Sequence, residues 1–487
     1  MPSLAQLAAL LLPAAAALAA AFAALAPEPY MDEPFHVPQT RRYCEGRWRE
    51  WDHKITTFPG LYVFGALVGR LEYAAQRLLG AASSQLCSTT ALRSVNLLFG
   101  AACLPLFHAA AASLDGDRSP TQLLLMTAAC FLFPLHFFYQ FLYYTDVPSL
   151  FFTLATILAA ARRRYRLAGA LGAAAVLMRQ TNAVWVAYAL AGSVLDACLP
   201  EDGRTQRKQQ AATQDQRRGG TSSSGSSSGA AAVAALQTAA ADLTLLLKRA
   251  WVLKRWLAAQ LWPLGAVVAS FAAFVVLNGG IVLGDKVHHT PVHHWAQPLY
   301  CLLYITAWLA PAFWAPPALA AAARSLGRAL RSRPASTAVC LVAGAAAAAA
   351  AVHLGTLVHP FLLADNRHYV FYIWRRLVNR TLWSRYALVP AYLYSAWSLA
   401  ACLAHHGWLR LLLLAGASCV VLIPAHLIEF RYFTVPFYLT FLHMRTPSTA
   451  SLAAIVALFA AANAATIYLF LARPFAWADG SVARFIW

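Results

Sequence analysis

Charge is scarce in this sequence. Only 12% of its 487 residues are Asp, Glu, Lys or Arg, and 19 residues are acidic. A soluble domain carries about twice that charged share, so a soluble globular chain is excluded. The nine cysteines form no CxxC and no zinc-type spacing. Most, such as Cys103, Cys130, Cys340 and Cys419, lie inside apolar runs and read as small core residues. HExxH is absent, and so is every recognised nucleic-acid-binding motif, so the formal charge of +19 does not point to nucleic acid. A basic n-region is missing as well. Residues 4–26 are an Ala/Leu run, longer than the apolar core of a signal peptide, and read as an uncleaved first span.

What the chain has is apolar length: 60% hydrophobic residues and a mean hydropathy of +0.54. A bilayer core about 30 Å thick asks for roughly 20 mostly apolar residues per helix. Such stretches recur at 4–26, 91–113, 121–143, 147–161, 167–178, 183–198, 258–283, 298–323, 336–358, 386–404, 409–428 and 450–472. Two more, 58–69 and 434–442, are short and read as juxtamembrane or re-entrant helices. The fold class is an all-α polytopic membrane protein with about 12 crossings, within about 10–14.

Counted from a cytosolic N-terminus, the cytosolic loops hold Arg162–Arg163–Arg164–Tyr165–Arg166, the long segment 199–257, and Arg324, Arg328, Arg331 and Arg333. All are basic, as positive-inside topology requires. The segment 365–385, with Arg367, Arg375, Arg376, Arg380 and Arg385, falls on the other side, which makes its arginines candidates for ligand binding. The organisation is an N-terminal block 1–198 with a luminal loop 27–90, a basic linker 199–257, and a C-terminal block 258–487. The Gln/Arg/Gly and Ser/Gly composition of 199–230 cannot bury enough apolar surface to offset its ordering entropy. Cys44 and Cys87 share the non-cytosolic loop and could pair.

The unusual polar clusters all fall on that non-cytosolic side. They are Tyr30–Met31–Asp32–Glu33–Pro34–Phe35–His36, Tyr143–Tyr144–Thr145–Asp146, Arg179–Gln180–Thr181–Asn182, Asp285 through His288, His289, His293 and His294 to Gln297, His359 with Asp365–Asn366–Arg367–His368–Tyr369, and Glu429–Phe430–Arg431–Tyr432. Ionisable groups near or within a bilayer are costly and tend to face a functional cavity. Asp32 or Glu33 could serve as a general base activating a hydroxyl, or simply end the first span. Arg179, Gln180 and Asn182 offer a cation and amides for phosphate or sugar, with a helix cap as the plainer role for Asn182. The His288, His289, His293, His294 group lacks a carboxylate partner, and Pro291 breaks its spacing, so no metal is expected there. Arg367 is the best anion ligand by chemistry, since guanidinium grips phosphate through a planar fork. Arg375 and Arg376 read as interfacial anchors, and Arg431 beside Glu429 as an ion pair or a ligand. Asp115–Gly116–Asp117 falls on the opposite side and reads as a solvated turn. Gly65 and Gly69 make a lone GxxxG, too common in apolar sequence to carry weight.

Taken together, the motifs resemble the dolichyl-phosphate-glucose-dependent α-1,2-glucosyltransferases of the endoplasmic reticulum. The matching segments are Tyr30–His36 with Pro38–Gln39 and Arg42–Tyr43–Cys44–Glu45–Gly46, then Trp51–Asp52, Ile55–Thr56–Thr57 and Pro59–Gly60–Leu61–Tyr62. Leu92–Arg93 with Asn96, Tyr143–Asp146, Arg179–Asn182 with Trp185, and Gly284–Asp285 with His289, His294 and Gln297 follow. The long run HPFLLADNRHYVFYIWRR at 359–376 and Glu429–Phe430–Arg431–Tyr432 complete the set. The alanine-rich spans, the Ser/Gly linker and the doubled histidines depart from the family pattern, outside the polar motifs.

The resemblance implies a GT-C fold with its active site at the luminal membrane face, in a multi-pass protein of the endoplasmic reticulum. It implies a dolichyl phosphate glucose donor, a dolichyl-diphosphate-linked oligosaccharide acceptor, inversion and no metal or other cofactor. The acidic base of such enzymes maps onto Asp32, with Glu33 in reserve. Arg367, then Arg179, would meet the donor phosphate, assisted by His289, His294, His368 and Tyr369. Asp285, Gln180 and Asn182 would hold sugar hydroxyls, while His36, Tyr144, Asp146, Glu429 and Arg431 support the acceptor or the loop. A transporter or flippase would share the many spans but place charge on both sides of a central cavity. A channel-regulating membrane scaffold would have no need of Asp32.

Overall fold

The computed structural model describes residues 3–80, 85–114, 118–199, 228–286, 290–381 and 383–487, with backbone alone for 228–238. His288 and His289, Asp115–Gly116–Asp117 and residues 200–227, with most of the Ser/Gly stretch, lie outside the described residues. The chain is an assembly of helices, with one two-stranded hairpin among the described residues. Among the described residues, six helices are long and apolar enough to cross a membrane: Leu4–Leu25, Thr89–Leu114, Ala239–Asn278, Pro334–Gly355, Ser384–His406 and Thr449–Ala472. Pro120–Leu132, Asp146–Ala161, Tyr165–Met178, Asn182–Cys198 and Trp408–Leu422 are apolar but shorter.

Local chemistry sets several boundaries. Ser3 and Ser119 each form a capping box with the Gln three residues on, satisfying amides left open at the starts of Leu4–Leu25 and Pro120–Leu132. The expected run 121–143 breaks at Phe133, because Pro134 drives its predecessor out of the helical region. Neighbouring helices satisfy the exposed carbonyls: Asn463 Nδ2 donates to Leu132 O at 2.8 Å and the Tyr438 hydroxyl to Cys130 O at 2.7 Å. The non-helical turn after Tyr139 is held the same way, with Asn96 Nδ2 donating to Tyr139 O and Tyr144 O at 3.2 and 2.8 Å. That turn carries Tyr144 and Asp146.

Two expectations change. The linker ends earlier than 257, since the Ser228–Asn278 helix packs Leu245, Leu246 and Leu253 against Leu195 and Cys198, and Arg249 caps Cys198 O at 3.0 Å. More consequentially, Thr434–His443, expected as a juxtamembrane or re-entrant helix, lies inside the bundle. Residues Pro436–Leu442 are all buried, and Phe437 stacks on Phe133 at 3.9 Å. The helix begins beside Arg431, next to Asp32, and ends at Leu442, whose carbonyl accepts from Arg118 at 2.8 Å. Arg118 lies between Thr89–Leu114 and Pro120–Leu132, at the opposite end of the bundle from Asp32. Thr449–Ala472 then returns: Gln122 binds Pro447 O near its start, while Thr466 and Phe470 meet Tyr369 and Tyr30 near its end. Residues 475–487 therefore emerge at the end of the bundle that holds Asp32. The short hairpin pairs Phe475 with Ala483.

At that end, Cys44 and Cys87 form a disulfide joining helix Glu33–Cys44 to the loop before Thr89. Helix Gly60–Leu78 lies across it. A Cβ on Gly65 would fall 2.0 Å from the Tyr143 hydroxyl, and one on Gly69 would fall 2.4 Å from Cys87 Sγ. The lone GxxxG thus serves close packing of this helix onto the loop that bears Asp32.

Candidate active site

Asp32 stands at the N-terminal cap of helix Glu33–Cys44 but makes no capping bond with its carboxylate. Met31 before it has φ +60, a left-handed conformation costing about 1–2 kcal/mol in a non-glycine residue. The Asp32 amide donates to the Tyr144 hydroxyl at 2.9 Å. Its carboxylate turns into a cavity of about 430 Å³ lined also by Asp365, Arg367, His368, Glu429, Arg431, Trp477 and Trp487. Three of the sequence clusters thereby line one cavity.

Arg431 organises one side. Its Nη1 lies 3.2 Å from Asp32 Oδ2 and 3.5 Å from Asp146 Oδ2, and the same guanidinium pairs with Glu429. Tyr139 and Tyr144 present their rings to it at 5.6 and 5.4 Å. Asp146 in turn binds Arg179 Nη1 at 2.7 Å. The protein-walled recess opposes ionisation of Asp32, but Arg431 and then His36 outweigh that and hold its carboxyl below the usual range. Asp32 is an ionised acceptor at neutral pH.

The facing side centres on Asp365. Arg367 grips it through two parallel bonds, Nε to Oδ1 at 2.8 Å and Nη2 to Oδ2 at 2.7 Å. His368 Nε2 lies 3.3 Å from Asp365 Oδ2, and its Nδ1 lies 2.8 Å from Trp487 O. Both partners are acceptors, so both ring nitrogens carry hydrogen and the imidazole is held as its cation. Burial works against that charge, yet the Asp365 carboxylate and the bond to Trp487 O prevail and raise the His368 pKa above 6.5. Around the site, four carboxylates (Asp32, Asp146, Asp365, Glu429) face three guanidiniums (Arg179, Arg367, Arg431) and one imidazolium.

Other candidates lie elsewhere. Glu33 is fully buried and turned away from the cavity; Arg93 holds it at 2.8 and 2.6 Å, and it accepts the amides of Tyr30 and Tyr143. His294 is buried beneath the surface with Gln297 and Ala425 O, and burial pushes its pKa down to about 4. Gln180 donates to Thr56 O, and Asn182 donates to Ser149 Oγ and Ala175 O, each at 2.7 Å for Asn182. Tyr369 bonds Thr466 at 2.9 Å, and His36 Nδ1 meets the Tyr62 hydroxyl at 2.8 Å. Asp285 sits on the loop whose Gly284 is pressed against the backbone of His53 and Ile55. Arg179 borders a smaller recess behind Arg431, of about 30 Å³, with Asn182 and Tyr432.

Four contributors carried no assigned role in the sequence reading: Arg93, Asp365, Trp477 and Trp487. Arg93 was detectable as an ionisable residue inside an apolar run, and Asp365 as a carboxylate two residues before the chosen arginine. The tryptophans come from the far end of the chain and carry no local signal.

The model of the DIE2/ALG10 family matches residues 26–442. Curated relatives from plant, animal and yeast bear one name, Dol-P-Glc:Glc(2)Man(9)GlcNAc(2)-PP-Dol alpha-1,2-glucosyltransferase. The chain is similar to that of Arabidopsis thaliana at 37% identity, covering 95% of this chain and 96% of the relative. It is similar to those of Rattus norvegicus and Homo sapiens at 33% and 32%, each covering 96% of this chain and 95% of the relative. No solved structure matches. With three of the polar motifs lining one cavity and the match running almost end to end, the chain belongs to the DIE2/ALG10 family.

Proposed function

We propose that this chain transfers glucose from dolichyl phosphate glucose to the terminal glucose of the diglucosylated, dolichyl-diphosphate-linked oligosaccharide. The new linkage is α-1,2, and the reaction inverts. The observation that carries the reading is Asp32, ionised on one wall of a cavity whose facing wall presents Arg367 and His368. Asp32 accepts the proton of the acceptor 2-hydroxyl as it attacks the anomeric carbon from the face opposite the phosphate. β-Linked donor thus yields α-linked product. Dolichyl phosphate leaves, and its growing charge is met by preorganised cations. Arg367 lines the main cavity and Arg179 does not, so Arg367 takes the phosphate with His368 beside it.

An apolar cavity of about 200 Å³, lined by Tyr300, Tyr304, Ile373, Leu377, Tyr392 and Phe433, shares Val370 and Ile428 with the polar one. It suits the first isoprene units of the donor. The setting that goes with this reaction is a GT-C-like, multi-pass protein of the endoplasmic reticulum membrane with the site facing the lumen. Thr434–His443 adds a crossing, giving about 13. Lumenal orientation is supported by the Cys44–Cys87 disulfide at the site's end, since disulfides persist in oxidising compartments. The polar network sits at one end of the bundle, unlike the two-sided cavity of a transporter.

The test is transfer in vitro with synthetic dolichyl phosphate glucose and a diglucosylated acceptor. Turnover with that pair is expected; failure there, with turnover of a mannose donor, overturns the donor assignment. The pH profile follows from the site. Asp32, held below its usual 3.8, loses its charge only as pH falls through that lowered value. His368, held above 6.5, keeps its proton past that pH and loses it as pH rises further. Donor affinity should therefore weaken on the alkaline side, and His368→Gln should raise the donor KM and flatten that limb. An unchanged alkaline limb in the variant removes His368 from phosphate binding.

A further inference from the structure

Residues after the last long helix lie beyond the stretch matched by the family model, which ends at 442. An even count of crossings would place them at the far end of the bundle; the through-going Thr434–His443 helix brings them to the cavity instead. Their seating is specific. Arg484 ties the segment to the end of the first helix, donating to Leu25 O and Phe470 O, each at 2.7 Å. The Arg484 backbone exchanges hydrogen bonds with the Tyr30 hydroxyl at 2.6 Å, two residues before Asp32. The Ile486 amide donates to Arg367 O at 2.8 Å, and Trp487 O accepts from His368. Trp487 packs on Tyr369 at 4.4 Å and Trp308 at 5.6 Å. The Trp477 ring lies 4.5 Å from the Arg367 guanidinium, with Tyr30 at 5.7 Å.

We propose that residues 475–487 form a wall of the active site, and that Trp477 is a positioning residue that sets the Arg367 guanidinium for the phosphate end of the donor. This rests on the transferase reading above. Arg367 has Asp365 along one edge of its plane and an indole beside it. Removing the indole frees the guanidinium to swing with its carboxylate, so the phosphate meets a mobile cation rather than a fixed one. The hairpin turn 477–481, closed by the Trp477 amide donating to Ser481 O at 3.0 Å, holds the indole in place.

Kinetics and labelling test this separately. Trp477→Ala and Trp477→Leu should each raise the donor KM, and the inhibition constant of free dolichyl phosphate, on the order of tenfold. Their kcat and acceptor KM should stay within about twofold, and Trp477→Phe should recover most of the loss. The Leu variant keeps bulk without a π face, which separates packing from guanidinium contact. Donor KM and dolichyl phosphate inhibition unmoved in both variants overturn the role of Trp477. Placement is read without activity, by Asp479→Cys and a membrane-impermeant maleimide on sealed microsomes, against the unsubstituted protein. Labelling only after permeabilisation is expected; labelling of sealed vesicles overturns the wall. Absence of glucose transfer in the unsubstituted protein would fail the transferase reading while the labelling result still decides where the segment lies.

Discussion

Asp32→Asn is expected to lower glucose transfer by about 10²–10⁴-fold, the range a positioned general base supplies. At 1.36 kcal/mol per decade this is roughly 3–5 kcal/mol of barrier. The protein should stay folded, for reasons visible in the contacts. The amide bond to Tyr144 does not involve the side chain, and an asparagine oxygen can still accept from Arg431. Arg431 retains Glu429 and Asp146 as counter-charges. Because the site keeps its cations, donor binding should survive, measured as inhibition of the wild-type enzyme's reaction or as direct retention of dolichyl phosphate. The loss therefore falls on kcat. Retained turnover would remove Asp32 from the chemistry.

Glu33→Gln, one residue on, should behave oppositely. Glu33 is 0% exposed, and Arg93 only 6%, so the substitution leaves a buried guanidinium without its counter-charge, held only by the neutral glutamine oxygen and the carbonyls of Ala26 and Glu28. Breaking one partner out of a buried ion pair costs about 3–5 kcal/mol. The expected result is a lower yield of folded protein and a lower thermal midpoint in detergent, with near-normal turnover per folded molecule. Arg93→Ala should do the same from the other side, leaving Glu33 with only the amides of Tyr30 and Tyr143. A fully folded Glu33→Gln protein without activity would return Glu33 to the chemistry.

Much of this was legible because ionisable residues next to apolar runs stand out. Asp32, Arg367 and Arg431 all announced themselves that way, and each lines the cavity. Choosing between Asp32 and Glu33 was beyond local sequence. Adjacent residues at a helix start point in different directions, and here the inward one is fixed by Arg93 from another helix. His294 was no easier to place: it is held beneath the surface by Ala425 and Gln297, neither of which marks it in the sequence as a core residue. Thr434–His443 escaped because the twenty-residue rule presumes a helix that must match lipid by itself. This one is wrapped in protein, continues from the turn Phe430–Phe433, and spans the bundle in about 20 Å with that turn. Missing it reversed the side assigned to everything downstream, Trp477 and Trp487 included.

The central claim is that one carboxylate of the adjacent pair does chemistry and the other holds the loop. Single-turnover transfer by purified Asp32→Asn and Glu33→Gln, each normalised to folded protein at saturating donor, tests it most directly. The account predicts transfer slowed about 10²–10⁴-fold in the first and near-wild-type transfer from the second. The reverse pattern, or equal loss in both folded variants, would contradict it.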